Sequence, residues 1–248
     1  MTEPYRDFTE LVLHCAQGTD YRFVIIDREA AATIVAIHGG GIEPLTSEVA
    51  TIIAGEEHNL YDLRGIRRDD NAMLRVPAPR FDEMRLRSLL RRSRTAVSVL
   101  GVPGDAPTVH LGGKNRRLRA AIAARLTEAG FDVRGPVGPG AAHHPDRFVN
   151  WPSDGGVQIE LSLALRRALT RAPLEAFRWE DPVSWTDRFH ALVRAVRGGL
   201  RDEARLVRDD LPHVMERFEE ATRTFSPELR SRGRHPHGDG GDGSNGHH

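Results

Sequence analysis

The sequence predicts an α/β domain, a mixed and mostly parallel sheet flanked by helices, followed by a C-terminal helical hairpin. Three patterns carry that reading. Apolar runs rich in β-branched residues alternate with stretches of helical periodicity over residues 17–170. Several of those runs are continuously apolar, as strands covered on both faces are. From 184 to 224 only the helical period remains. The expected layout is one domain over residues 1–229, with its core at 17–170, a helical extension at 184–224, and a disordered tail over 230–248.

Taken in order, Tyr21–Asp27 and Thr33–His38 are expected as strands, the second ending at three glycines. Thr46–Ala54 reads as a helix, with Ser47 and Glu48 suited to its first turn and Gly55 to its stop. A short strand is expected near His58–Asp62, then a charged loop over Arg64–Asn71 and a brief pairing segment at Met73–Val76. Phe81–Arg92 is expected as a helix that turns Phe81, Met84 and Leu89 or Leu90 to one face. Ala96–Leu100 and Thr108–Leu111 are strands, each stopped by glycine. Between them and the next strand, Val157–Leu161, lies a helix over Lys114–Ala129 with Leu118, Ile122 and Leu126 at four-residue steps. A Pro- and Gly-rich stretch (Gly135–Gly140) leads into His143–Asn150. In the extension, Trp185, Phe189, Leu192, Val196 and Leu200 recur at helical spacing, and Val214, Phe218 and Ala221 continue it after Pro212, hence a hairpin on the sheet.

Composition narrows the function classes. A chain of 248 residues can bury one full core without needing two. Its 35 basic and 35 acidic residues cancel, so no global field favours nucleic acid or a membrane surface. Lys114 is the only lysine, and the other basic residues are arginines interspersed with acids. Cys15, the single cysteine, excludes an internal disulfide. The N-terminus lacks a basic and then apolar leader, and no apolar run approaches the roughly 20 residues of a membrane span. A cytoplasmic protein without nucleic-acid or membrane partners is expected.

Two strings carry chemistry. In Ala36-Ile37-His38-Gly39-Gly40-Gly41-Ile42-Glu43, a strand delivers an imidazole to its carboxyl end, where α/β sheets build their sites. The glycines let the backbone turn, which can bring Glu43 back to His38 as mixed nitrogen and oxygen donors for an ion such as Zn²⁺. The bland alternative is a hydrogen-bonded strand-end histidine beside a solvated glutamate. An esterase oxyanion loop would need a G-x-S-x-G elbow, and none is present. In Gly156–Ser162, alternation sets Gln158 and Glu160 on one face of an otherwise apolar strand. A carboxylate there is costly to bury without a partner or a chemical role, and suits a general base. The alternative is an edge strand turning both residues to water. The Gly112-Gly113-Lys114 string fails the P-loop pattern, because Thr108 and Asn115 occupy its first glycine and its Ser/Thr positions.

Six strings together resemble the poly-γ-glutamate hydrolase family: Ala36–Gly55, Arg80–Glu83, Ala96–Gly101, His110–Phe131, His144–Asn150 and Gly156–Ser162. The resemblance implies a zinc-carboxypeptidase-like fold, a Zn²⁺ cofactor, and a polyglutamate or peptide-like substrate cleaved at γ-glutamyl amide bonds. It implies His38 and Glu43 as zinc ligands and Glu160 as general base. The family's S-x-H-G, whose histidine is the third ligand, is here Ser98-Val99-Leu100-Gly101. Leucine coordinates nothing, so either His110 replaces the missing ligand, ahead of His144 and His58, or the chain is a catalytically impaired relative that binds a ligand or partner. Asn150 and Arg80 are the candidates to orient a substrate carboxylate. The histidines of the tail (His235, His237, His247, His248) are assigned no site, because a flexible segment fixes no geometry.

Overall fold

The computed structural model describes residues 4–136, 147–174 and 184–231. Seven strands are β1 (Tyr21–Ile26), β2 (Ala32–Gly40), β3 (Asn59–Gly65), β4 (Thr95–Val102), β5 (Thr108–Gly112), β6 (Asp132–Arg134) and β7 (Gly156–Ser162). They form one sheet of order β1-β3-β2-β4-β7-β5-β6. The β3-β2-β4-β7 centre is parallel, β5 also runs parallel to β6, and only β1 against β3 and β5 against β7 are antiparallel. This is the mixed, mostly parallel sheet the sequence predicts. β7 is central, which removes the edge-strand reading of Gln158 and Glu160.

The helices are α1 (Phe8–His14), α2 (Thr46–Ala54), α3 (Met84–Arg92), α4 (Arg116–Glu128), α5 (Leu163–Ala168) and α6 (Asp187–Ser231). The chain divides into two compact units, residues 1–203 and 204–248, and the boundary falls inside the helical extension expected at 184–224. The first unit carries the sheet and two apolar cores, and β2 feeds both by alternation. Ile34 and Ala36 join Val49 and Ile53 of α2, Leu118, Ile122 and Leu126 of α4, and Phe189, Val196 and Leu200 of α6. Val35 and Ile37 join an aromatic cluster in which Phe81 meets Phe8 at 5.3 Å and Tyr61 and Phe148 at 6.3 Å each. In the second unit, residues 204–231 are the C-terminal part of α6, with Leu206, Leu211 and Met215 exposed.

Four expectations are corrected. The hairpin is a single helix, α6, running through Pro212. A proline inside a helix loses one backbone hydrogen bond and crowds the preceding turn, which can kink a long helix without reversing the chain. Met73–Val76 does not pair; Asn71–Leu74 is a 3-10 turn. The helix expected from Phe81 begins at Met84, where the Glu83 side chain accepts from the Leu86 amide at 2.8 Å. Met84 then faces solvent while Leu86, Leu89 and Leu90 are buried. Arg230 and Ser231, assigned to the tail, belong to α6, and residues 232–248 lie outside the described residues. Among the described residues no helix is long and apolar enough to cross a membrane.

Candidate active site

Because β2, β4 and β7 are parallel neighbours, their carboxyl ends converge, and those ends carry His38, Leu100 and Glu160. The β2–β3 ladder slips register between Ala36 and Gly39, and irregularities of this kind re-aim side chains. His38 thus opens onto a cleft of about 290 Å³ lined also by Arg75, Leu100, Arg147, Gln158 and Glu160.

The loop after β2 is fixed by its own backbone. The Glu43 amide donates to the His38 carbonyl at 2.9 Å, and the Thr46 hydroxyl donates to the carbonyls of His38 at 3.1 Å and Glu43 at 2.8 Å. Gly39 is obligatory, because a Cβ would run into Ser47 Oγ and Asp62 Oδ1. Gly40 takes φ +60°, and its amide donates to Ser47 Oγ at 2.8 Å. Leu45, buried and not a glycine, is held at φ 81° just before α2, a strained conformation of the kind that clusters at functional sites.

This turn folds Glu43 back onto His38. His38 Nε2 lies 2.7 Å from the Val76 carbonyl oxygen, and since a carbonyl only accepts, Nε2 carries the hydrogen. Nδ1 then faces Glu43 Oε1 at 3.1 Å, close enough to pair yet not aligned for a hydrogen bond. Both atoms are buried. Glu43 Oε2 accepts from the Gly101 amide at 2.6 Å, and Arg75 Nη2 approaches Oε1 at 3.4 Å. Burial pushes the Glu43 carboxyl up, but the His38 imidazole, Arg75 and the Gly101 amide outweigh it and hold the carboxyl below its ordinary range. Arg166 adds a further charge: it donates to the Pro44 carbonyl at 3.1 Å, packs on Gly101, and is itself lowered by burial against the pull of Glu43.

Glu160 is buried in the same cleft, pairs with Leu100 across the β4–β7 ladder, and accepts at Oε1 from Gln158 Nε2 at 2.6 Å. Arg147 Nη1 reaches Gln158 Oε1 at 3.3 Å, so Gln158 links a guanidinium to the carboxylate. Burial lowers Arg147, and Glu160 opposes that shift.

The donors fit a zinc site in kind. An imidazole nitrogen and a carboxylate oxygen meet, neither with a hydrogen-bond partner, and the second ring nitrogen is anchored on a backbone carbonyl, as in metal-bound histidines. They are two where a catalytic zinc has three protein ligands. His110 stands opposite Glu160 on β5, but its ring is engaged by the Gly135 carbonyl at 2.8 Å and Thr108 Oγ1 at 3.2 Å, and it does not line the cleft. His58 precedes β3 at the other end of the sheet, and His144 lies outside the described residues. Among the described residues no three His, Cys, Asp or Glu side chains gather as a metal cluster.

Neither residue expected to hold substrate lines the cleft. Asn150 Oδ1 accepts from the Lys114 amide at 2.9 Å and so fixes the turn into α4, while Arg80 is exposed on a 3-10 turn. The guanidiniums that do line it are Arg75 and Arg147. Arg147 sits in the same His144–Asn150 string as Asn150, which is the signal that could have found it.

A sequence profile for poly-gamma-glutamate hydrolase matches residues 5–195. Two relatives come from Bacillus subtilis (strain 168). UPF0714 protein YndL is 30% identical over 168 residues, 66% of this chain and 66% of its own length. The SPbeta prophage-derived UPF0714 protein YoqZ is 28% identical over 170 residues, 67% of this chain and 61% of its own length. The chain therefore spans slightly under two thirds of these relatives. Among solved structures, a bacteriophage poly-gamma-glutamate hydrolase superposes with a TM-score of 0.77 at 26% identity, covering 83% of this chain and 100% of the other. YndL in a zinc-free apo form gives 0.73 at 27% identity, covering 81% and 98%.

Proposed function

The chain belongs to the poly-gamma-glutamate hydrolase family, and from that premise we propose that it hydrolyses γ-glutamyl amide bonds in the His38–Glu160 cleft. The observation that carries the proposal is the approach of Glu43 Oε1 to within 3.1 Å of His38 Nδ1, both buried, beside a cleft that His38 and Glu160 line. His38 and Glu43 would hold zinc, with affinity below that of a three-ligand site. Zinc, when bound, polarises the scissile carbonyl and acidifies a water.

The protein's own groups supply the rest. Glu160 takes the proton of the attacking water and passes one to the leaving amine. Gln158 holds the Glu160 carboxylate in place through its 2.6 Å bond. Arg147, together with Arg75, which shares the cleft and also reaches Glu43, faces the free α-carboxylates that every γ-linked glutamate carries. The Val76 carbonyl and the Gly101 amide orient His38 and Glu43.

Leu100 favours a second reading. It puts an apolar side chain where the resemblance asks for a ligand, and Arg75 and Arg166 already balance the Glu43 charge. A chain with this site can bind a carboxylate ligand without cleaving it. Zinc stoichiometry separates the readings. About one zinc per chain, lost in His38→Ala, supports the hydrolase; folded protein that takes up no zinc supports the binder.

A further inference from the structure

A second, larger cavity of about 580 Å³ begins at Gly40 and Gly41, two and three residues after the His38 that opens onto the cleft. Two residues of extended chain span about 7 Å, so one backbone segment borders both spaces. Arg22, Arg64, Arg67 and Arg68 line the cavity, along with the exposed acids Asp69 and Asp70. Arg64 is committed to Asp62 at 2.6 Å and Arg67 to Asp20 at 2.7 Å, while the exposed Arg68 lies 3.9 Å from Asp69. Arg22 forms no ion pair among the described residues and stands directly opposite Arg64 in the β1–β3 register. Asp62 already offsets Arg64 and attracts Arg22 as well, so the charge that the cavity turns toward a ligand is that of the exposed Arg22 and Arg68.

An independent feature inside the cavity points the same way. Glu48, on the first turn of α2, is 8% exposed, lines the cavity, and leaves Oε2 without a hydrogen-bond partner. Burial, with Asp62 adding to it, pushes its carboxyl up to about 7. A buried carboxyl in its protonated form presents a hydroxyl, a donor suited to a carboxylate oxygen.

We propose that this cavity is a second binding site that takes carboxylates of an anionic chain whose scissile unit occupies the His38–Glu160 cleft. The inference rests on the proposed γ-glutamyl reading for its choice of chain. It makes the protein bind polymers more tightly than short γ-linked peptides, because a longer chain offers carboxylates to both spaces at once.

The test measures binding of fluorescent poly-γ-glutamate of about 20 units and of a γ-linked dimer, in a Glu160→Gln background that suppresses turnover. Arg22→Ser/Arg68→Ser removes two exposed charges, and thermal melting checks that the fold is intact. The account expects the variant to bind the polymer about fivefold to tenfold more weakly, with dimer binding unchanged. Equal polymer binding by variant and parent overturns the site, as does a parent protein that binds no polymer. Poly-α-glutamate and single-stranded DNA serve as further probes. Weaker poly-α-glutamate binding identifies the γ-linked chain, equal binding identifies carboxylate chains in general, and tighter DNA binding overturns the carboxylate assignment. Polymer binding that depends on Arg22 and Arg68 in a protein that never cleaves would sink the hydrolase reading and leave this site standing. Cleavage with a KM indifferent to both arginines would do the reverse.

Discussion

Replacing Glu48 by glutamine is expected to stabilise the protein at pH 8 and to change it little at pH 5. The Glu48 carboxyl is raised to about 7, first by burial and then by Asp62, whereas an unfolded chain leaves it at 4.5. The folded state therefore binds more protons than the unfolded state between those values. Stability falls as pH rises through that window, and the whole penalty is present above it. A difference of about 2.5 units at about 1.36 kcal/mol each gives roughly 3 kcal/mol. Glutamine keeps the shape without the charge. Part of the gain is returned, because Oε2 has no partner to receive an amide in its place. The net expectation is about 2 kcal/mol at pH 8, or roughly 4–8 °C in Tm for a unit of this size. Asp62 is also raised by burial, and its repulsion of Glu48 is already contained in the Glu48 shift, so it adds no separate gain. Thermal unfolding followed by circular dichroism at pH 5, 6, 7 and 8 gives the comparison. Parallel wild-type and variant curves across that range would refute the reasoning.

Other outcomes follow from the same contacts. Phe81→Ala opens a hole at the centre of the Phe8–Tyr61–Phe148 cluster and should cost about 3–5 kcal/mol in urea unfolding. Gly39→Ala pushes a methyl group into Ser47 and Asp62 and should cost about 1–3 kcal/mol, with a loss of zinc uptake as the loop shifts. Leu100→His adds a nitrogen to the cleft wall, and calorimetry should show tighter zinc binding than in the wild type; unchanged affinity would place residue 100 outside the metal's reach.

The strands near the site were legible because burial on both faces leaves a continuous apolar run that stops at glycine, as in Thr33–His38 and Ala96–Leu100. The His38–Glu43 turn was legible for a related reason: three glycines permit a sharp reversal that can bring the carboxylate of Glu43 back to the imidazole. α1 and β6 went unread, since seven and three residues are too few for a period to show. α6 differs from the expected hairpin because a helical period on both sides of Pro212 fits a kinked single helix as well as two helices. The arginines of the cleft were the least visible. Arg75 and Arg147 arrive from loops, and in a chain with basic residues spread throughout, no spacing distinguishes a cleft arginine from a surface one. His110 shows the converse: strand position and pairing set it opposite Glu160, but a loop carbonyl at Gly135 claims its ring, and no sequence pattern reports that bond.

The central claim is that His38, Glu43 and Glu160 form one hydrolytic centre. Its most direct test is the rate at which zinc-supplemented protein releases new amino termini from poly-γ-glutamate, with wild type and Glu160→Gln side by side. The account predicts measurable release by the wild type and a loss of about 10²–10⁴-fold in the variant. No release from folded wild-type protein, or equal release from both, contradicts it.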